Sequence, residues 1–378
     1  MTEEERFFAR VTAGLEQVAW QDVERRTGAR LEGFGHRRID FSYAGPPAAL
    51  LDLRGVDDVY AFVARLGGID RARASLARLA KGLASVGFEP ALATIRAARA
   101  LGERPSFRVT SSHLGRRNYS RYDVEGALAD ALVDMLGWSF VPNAPDEAEP
   151  DLDLRVLLED DWALLGLRLG AAPLHRRAYK VASQPGSLKP PVAYCLALLA
   201  ALAPGALTLD LACGAGTILV EAAALAPGGA LIGVDVEPHA IELARENLDA
   251  AGLAARIAGG DELATIPHPP ALAPAPVALL YHGDAAAAPL PARSVDAVIT
   301  NLPWGKQVAA GDDLSALYAG VLGAVARALR PAGRAVLLTD QADLLLAALA
   351  SRGELRLASS LPISLFGRHP TIFVVERG

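Results

Sequence analysis

Residues 207–221 read L-T-L-D-L-A-C-G-A-G-T-I-L-V-E. The apolar run alternating into Asp210 predicts a short buried strand. Gly214 and Gly216 then break it, and Thr217 through Ala226 resume at helical spacing. A strand, a glycine loop and a helix in that order set backbone N–H groups and the positive end of a helix beside a ligand. Lacking a Cβ, the two glycines let the ligand approach the backbone closely. A dinucleotide fingerprint needs a third glycine three residues after the second, and that position is Leu219.

The rest of the composition limits the alternatives. A chain of 378 residues holds two or three domains and a sizeable core. It is 52% hydrophobic, yet no apolar run reaches membrane-spanning length, and the alanine-rich stretch 192–203 stops at Pro204. The acidic start M-T-E-E-E-R carries no secretory or transit pattern. Cys195 and Cys213 are too few for a disulfide framework or a zinc site, so a reducing cytoplasm and a metal-free protein are expected. A net charge of −6 argues against wholesale coating of nucleic acid but leaves room for local patches.

Upstream of the glycine loop, a strand at 6–12, a helix at 14–27, strands near 29–34 and 37–43, a helix around 47–53 and a strand around 58–65 give the β-α-β-β-α-β order of a ferredoxin-like unit. Helical spacing follows over 71–82 and 90–101. Then F-R-V-T-S-S-H predicts a strand, and a basic loop leads to a helix from about Asp123. Asp123 is its expected N-cap, with Glu125 in the first turn. Arg96, Arg99, Arg104, Arg108, Arg116, Arg117 and Arg121 face a single acid, Glu103, over this stretch. That local excess makes a candidate phosphate-binding surface or a solvated face. Residues 151–170 predict a hairpin turned at Glu159–Asp161, after the polar loop 142–150. The stretch 170–191 reads as a Pro- and Gly-bearing junction whose Arg176, Arg177 and Lys180 form a basic patch or are solvated linker charges.

Downstream, L-I-G-V-D-V is a second strand ending at Asp235, about twenty residues past the glycines, where a carboxylate can accept both ribose hydroxyls of a nucleotide-type ligand. Asp235 is equally placed to cap a helix over 237–250. Residues 258–276, rich in Pro and Ala, read as an exposed insertion, and V-A-L-L-Y-H at 277–282 as the third strand. S-V-D-A-V-I-T-N-L-P-W-G brings Asn301 to a strand end, the edge where doubly wound sheets bind ligands. A helix at 313–330, a strand at R-A-V-L-L-T-D, a helix at 341–351 and two strands near 354–360 and 371–376 complete an α/β pattern.

The order D-x-x-C-G-x-G resembles the first motif of methyltransferases dependent on S-adenosylmethionine (SAM). Asn301-Leu302-Pro303-Trp304 resembles the N-P-P-[YFW] motif of enzymes that methylate exocyclic amines, with Leu302 in place of the first proline. F-R-V-T-S-S-H with Y-D-V-E-G-A-L resembles the core of a THUMP domain, an RNA-binding module of tRNA-modifying enzymes. L-H-R-R-A-Y-K resembles the connector of the tRNA (guanine-N2) methyltransferases.

The resemblance implies an α/β chain: a ferredoxin-like domain over 1–68, THUMP over 69–170, a linker over 171–191, and a seven-stranded doubly wound methyltransferase domain over 192–378. It implies SAM held by Asp210, Ala212, Cys213, Gly214, Gly216, Thr217, Asp235, Val236, Asp284, Ala285 and Asn301. Asp284, with Asp261 as rival, would meet the adenine amine. It implies an amine held by Asn301 and the Leu302 carbonyl, with Pro303 and Trp304 completing the motif and Trp304 stacking on an extruded base. The partner would be tRNA, methylated at guanine N2 in the acceptor stem at position 6, and contacted by Arg108, Arg116, Arg117, Arg121, Arg176, Arg177 and Lys180. No membrane and no obligate protein partner are expected. A ribosomal RNA or DNA-adenine methyltransferase, a non-catalytic RNA-binding scaffold and an oxidoreductase remain open, the last disfavoured by Leu219.

Overall fold

The computed structural model describes residues 4–143, 149–266, 277–304 and 314–378. The chain divides into two compact units, Met1–Val11 with Trp20–His175, and Thr12–Ala19 with Arg176–Gly378. Each unit is organised on its own eight-stranded sheet.

The chain begins with β1 (Glu5–Arg10), α1 (Glu16–Thr27, of which Trp20 onward belongs to the first unit), β2 (Arg30–Gly35), β3 (Arg38–Tyr43), a 3-10 turn (Pro47–Asp52) and β4 (Asp58–Gly67). The expected helix over 47–53 is thus a 3-10 turn, six residues led in by Pro46 and Pro47 and ending at the extended Leu53. Period-two alternation puts neighbouring β1 aromatics on opposite faces. Phe7 stacks on Phe41 at 5.7 Å, whereas Phe8 stacks on Tyr60 at 5.0 Å. The unit continues with α2 (Ser75–Ala84), α3 (Glu89–Ala98), β5 (Ser106–His113), α4 (Arg121–Leu136), β6 (Ser139–Phe140), β7 (Leu152–Glu159) and β8 (Trp162–Arg168). Because β4 pairs antiparallel with β8, all of these strands share one sheet in the order β2-β3-β1-β4-β8-β7-β5-β6. The hairpin β7–β8 turns where expected, with Asp160 at φ 42°. Residues 144–148 of the polar loop lie outside the described residues.

Two expectations about α4 are corrected. Its N-cap is Ser120, not Asp123. The Ser120 hydroxyl accepts from the Asp123 N–H (3.2 Å) and the Asp123 carboxylate accepts from the Ser120 N–H (2.8 Å), a reciprocal capping box. Glu125 is not in the first turn, whose acid is Asp123: it is buried further along and accepts from the Ser111 N–H at 3.0 Å, tying α4 to β5.

The second unit runs α5 (Pro190–Leu199), β9 (Leu207–Asp210), α6 (Thr217–Ala223), β10 (Ala230–Asp235), α7 (Pro238–Ala250), β11 (Ala254–Ile257), α8 (Gly260–Leu263), β12 (Val277–His282), β13 (Val295–Asn301), α9 (Leu314–Ala328), β14 (Leu329–Thr339), α10 (Ala342–Ala350), β15 (Leu355–Pro362) and β16 (Thr371–Arg377). The sheet order is β11-β12-β10-β9-β13-β14-β16-β15. The seven expected strands are all present, and β16 runs antiparallel between β14 and β15. An eighth, β11, adds a parallel edge beside β12. The segment after it is only partly an exposed insertion. The Ala258 N–H donates to the Leu280 carbonyl, and Ala258 and Leu263 are buried, while 267–276 lie outside the described residues.

Leu209, Val234, Val298 and Leu337 join one apolar cluster with Val321 and Leu322 of α9. Such burial stabilises by roughly 1.5–3 kcal/mol per large side chain. The chain leaves β9 toward β10 on one side and reaches β13 on the other. The carboxyl ends of β9, β10 and β13 therefore open a crevice at the switch point and deliver Asp210, Asp235 and Asn301 to it.

Candidate active site

At that crevice lies a cleft of about 390 Å³. Asp210, Ala212, Cys213, Gly214, Thr217, Asp235, Val236, Asp284, Ala285, Asn301, Leu302 and Pro303 line it, which brings together almost every candidate drawn from the methyltransferase motifs. Gly216 and Trp304 are not on its wall. Gly216 supports the loop from behind. It sits at φ +73°, and a Cβ there would come within 3.1 Å of Ala244 in α7, so both its conformation and its packing call for glycine. Asp261 opens α8 away from the cleft, whereas Asp284 is on the wall, its Oδ1 accepting from the Ala286 N–H at 2.9 Å.

Asp210 is fully buried, and its Oδ1 accepts from the Ala212 N–H at 3.2 Å. Its Oδ2 has no hydrogen-bond partner among the described residues. Burial pushes this carboxyl up to about 7. The nearby Thr300 hydroxyl and the Ala212 N–H pull the other way, and the charge of Asp235 adds to the rise. The Thr300 hydroxyl favours the carboxylate by proximity without reaching hydrogen-bond geometry. Burial also pushes the Cys213 thiol well up, reinforced by Asp210 and Asp235, so the loop offers no thiolate nucleophile.

Asp235 reaches across the sheet end to the glycine loop. Its Oδ2 accepts from the Gly214 N–H at 2.8 Å and its Oδ1 from the Glu237 N–H at 3.0 Å. The N-cap of α7 is Glu237, so Asp235 holds the loop rather than capping the helix.

The motif at the end of β13 is held from several sides. The Leu302 N–H donates to the Leu338 carbonyl at 2.9 Å, and the Tyr318 hydroxyl donates to the Pro303 carbonyl at 3.0 Å. Tyr318 is fully buried beside Thr339, and burial pushes its hydroxyl up to about 12. The Asn301 Nδ2 donates to the Gly186 carbonyl at 3.5 Å, and its Oδ1 accepts from the Trp304 indole at 3.2 Å. Trp304 is 6% exposed, so in this structure it is packed rather than presented as an open platform.

The strap Gln184–Leu188, within the junction before α5, lines the cleft as well, although none of its residues was among the site candidates. Asn247 of α7 secures it. The Asn247 side chain accepts from the Ala182 N–H at 2.9 Å and donates to the carbonyls of Ala182 (2.9 Å) and Ala215 (2.8 Å). A Pro-Gly turn and a polar residue at a buried helix position were the only signals for either.

The expected basic surface divides. The Arg117 guanidinium donates to the carbonyls of Ile69, Asp70 and Asp160 and to the Tyr119 hydroxyl, so it pins loops of the first unit. Arg108 is buried, 3.8 Å from Glu149. Arg177 lies 3.6 Å from the fully buried Glu221, which also accepts from Tyr179, and Lys180 donates to the Leu188 carbonyl and to Thr217. Each of these four reaches an acceptor within its own unit and so serves the fold. Arg116, Arg121 and Arg176 are exposed. Among the described residues, no cluster of His, Cys, Asp or Glu is placed to hold a metal ion, and no helix is long and apolar enough to cross a membrane.

The sequence matches the RMKL-like methyltransferase domain family over residues 177–268 and 277–364. It is 32% identical over 273 residues to the tRNA (guanine(6)-N2)-methyltransferase of Thermus thermophilus, covering 72% of each chain. It is 31% identical over 219 residues to the U6 snRNA (guanine-N(2))-methyltransferase THUMPD2 of Bos taurus, covering 58% of this chain but only 37% of the bovine protein. The chain therefore spans little more than a third of that relative. The crystal structure of TrmN from Thermus thermophilus aligns with a TM-score of 0.74 at 28% identity over 99% of both chains. An acidic, glycine-looped cleft at the switch point, Asn301, Leu302 and Pro303 on its wall and these likenesses place the chain in the family of SAM-dependent methyltransferases that includes the Thermus thermophilus tRNA (guanine(6)-N2) enzyme.

Proposed function

We propose that this chain methylates the exocyclic N2 amine of a guanosine in tRNA, in the acceptor stem at position 6, using SAM. The observation that carries this reading is Asn301, which stands on the cleft wall at the end of β13 with its carboxamide oriented and the Leu302 backbone beside it. The activities named for the Thermus and bovine relatives, both at guanine N2, support the choice of atom.

The cleft fits SAM on its own chemistry. The partnerless Asp210 Oδ2 is an acceptor in want of a donor, as an amino acid ammonium would supply. Asp235 and Asp284 offer carboxylates to ribose hydroxyls and to the adenine amine, and Gly214 presents bare backbone at φ +51°. Bound there, SAM supplies an electrophilic methyl group.

The chain's own task is positioning. A guanine amine is a poor nucleophile because its lone pair is delocalised into the ring. Asn301 Oδ1 and the Leu302 carbonyl accept its two hydrogens, which favours a pyramidal nitrogen with its lone pair aimed at the cofactor. Leu302, where the common motif has proline, still offers that carbonyl. Rate then comes from orientation and preorganised dipoles, without a covalent enzyme intermediate. Exposed Arg116, Arg121 and Arg176, in the region that resembles THUMP and its connector, would meet tRNA phosphates.

Single-turnover transfer of labelled methyl from SAM to unmodified tRNA tests this, with the modified nucleoside mapped by mass. Asn301→Ala should slow transfer roughly a hundredfold or more. Its SAM and tRNA affinities should stay within a few-fold. A wild-type rate in that variant defeats the amine-holding role. Transfer to another RNA, or to another position of tRNA, defeats the substrate assignment.

A further inference from the structure

The Asn301 carboxamide has chemically unambiguous partners. An indole N–H can only donate and a backbone carbonyl can only accept, so the contact to Trp304 at 3.2 Å requires oxygen on that side. The contact to Gly186 at 3.5 Å requires nitrogen on the other. The amide is held in one of its two flips, with one lone pair of Oδ1 occupied by Trp304 and one left for a ligand. The Trp304 ring is itself fixed. It is 6% exposed, and the Arg368 guanidinium lies 5.4 Å from its centroid while pairing with Asp340 at 2.7 Å. A ring with a cation over one face and little exposed area is poorly suited to receive a base by stacking.

We infer that Trp304 is a positioning residue whose indole N–H sets the orientation of the Asn301 carboxamide, and that it acts through Asn301 rather than as a stacking platform for the target base. The inference rests on the proposed role of Asn301. In the opposite flip, Nδ2 would face the indole N–H, donor against donor, and would present a donor to an amine that needs an acceptor. Trp304 thereby selects the productive rotamer before substrate arrives, and Asp340 and Arg368 keep the indole in place.

The decisive variant is Trp304→Phe, which keeps an aromatic face and removes the N–H. If Trp304 positions Asn301, single-turnover methyl transfer at saturating tRNA and SAM should fall about tenfold or more, the effect of one lost oriented hydrogen bond. tRNA and SAM affinities should stay within about twofold, and Trp304→Leu should lose no more rate than Trp304→Phe. A wild-type rate in Trp304→Phe, with tRNA affinity lost only in Trp304→Leu, overturns the inference in favour of stacking.

A second measurement does not depend on activity. The indole N–H resonance of Trp304, assigned by its disappearance in Trp304→Phe, should move upfield and exchange faster with solvent in Asn301→Ala. No change in that resonance overturns the inference even if Trp304→Phe is slow or poorly folded. If the wild type methylates no tRNA, the proposed function fails while the indole resonance still decides whether Trp304 holds Asn301.

Discussion

Replacing Asp235 by alanine isolates the ribose contact from the architecture of the loop. In the structure each carboxylate oxygen already accepts one backbone N–H, Gly214 at 2.8 Å and Glu237 at 3.0 Å. Each keeps a further lone pair for one ribose hydroxyl. A hydrogen bond to a charged acceptor contributes about 1.5–3 kcal/mol, and two such bonds at a half-exposed carboxylate are expected to total nearer one full bond than two. The Kd of SAM should therefore rise about 10- to 150-fold. Part of that rise could come from a loosened Gly214, so titration calorimetry should compare S-adenosylhomocysteine with its 2′,3′-dideoxy analogue in wild type and Asp235→Ala. The double cycle returns the coupling between the side chain and the hydroxyls. Asp235→Asn is not a mild control: its NH2 group must oppose one of the two backbone N–H donors. If the dideoxy analogue loses as much affinity as the parent ligand, Asp235 acts only on the loop and the ribose assignment is wrong. An unchanged affinity for both removes Asp235 from the site.

The Asp210 carboxyl, pushed up to about 7 by burial, should make SAM binding fall as pH drops below 7, toward a limit of about tenfold per unit, since an ammonium ligand needs the carboxylate. Calorimetry from pH 5.5 to 8.5 measures this, and a pH-independent wild type, or an Asp210→Asn variant with the same slope, refutes it. The same raised value means that, without ligand, Asp210 contributes stability in full below its unfolded value of about 3.9 and loses it as pH rises through about 7. Replacing Arg116, Arg121 and Arg176 together by alanine should lower the log–log salt slope of tRNA binding by up to about 3 without changing SAM affinity, and an unchanged slope refutes their contact with phosphate. Arg117→Ala should instead lower the denaturation stability of the first unit by about 1–3 kcal/mol, because it removes a donor from three carbonyls; an unaltered midpoint refutes its role as a staple.

What could be read from the sequence was whatever the backbone itself enforces. Two glycines behind Asp210 force a loop, and Asp235 follows at the distance a strand–helix–strand unit imposes, so these sites needed no tertiary knowledge. The strap at 184–188 has no periodicity, and only the fold lays it along the cleft. Charge counting along 96–121 found the arginines but not their acceptors; Arg117 looks no different in sequence from Arg116, yet three carbonyls 43 to 48 positions away claim it. Asp123 was read as the cap of α4, but the reciprocal pair puts Ser120 at the cap and Asp123 three residues inside it. β11 was invisible because four residues with scarcely any burial carry no pattern.

Charge is sorted across the second unit in a way that bears on what can enter the cleft. The ionisable carboxyl groups on its wall are Asp210, Asp235, Glu237 and Asp284, and no Lys, Arg or His stands among its described lining residues. Lys180 and Arg177 lie near the loop but are turned to Leu188, Thr217 and Glu221. Such a wall attracts a cationic cofactor and repels phosphate, and low dielectric sharpens both effects. An RNA backbone is therefore held off the cleft, and a neutral base swung out of its stack is the part of a nucleotide that can enter it. On the proposed reading, an amide already oriented by Trp304 and Gly186 would meet the amine without first having to reorient. The acidic wall favours the sulfonium and the oriented amide the amine; as the N–C bond forms and the C–S bond breaks, the proton shed by the nitrogen passes to water.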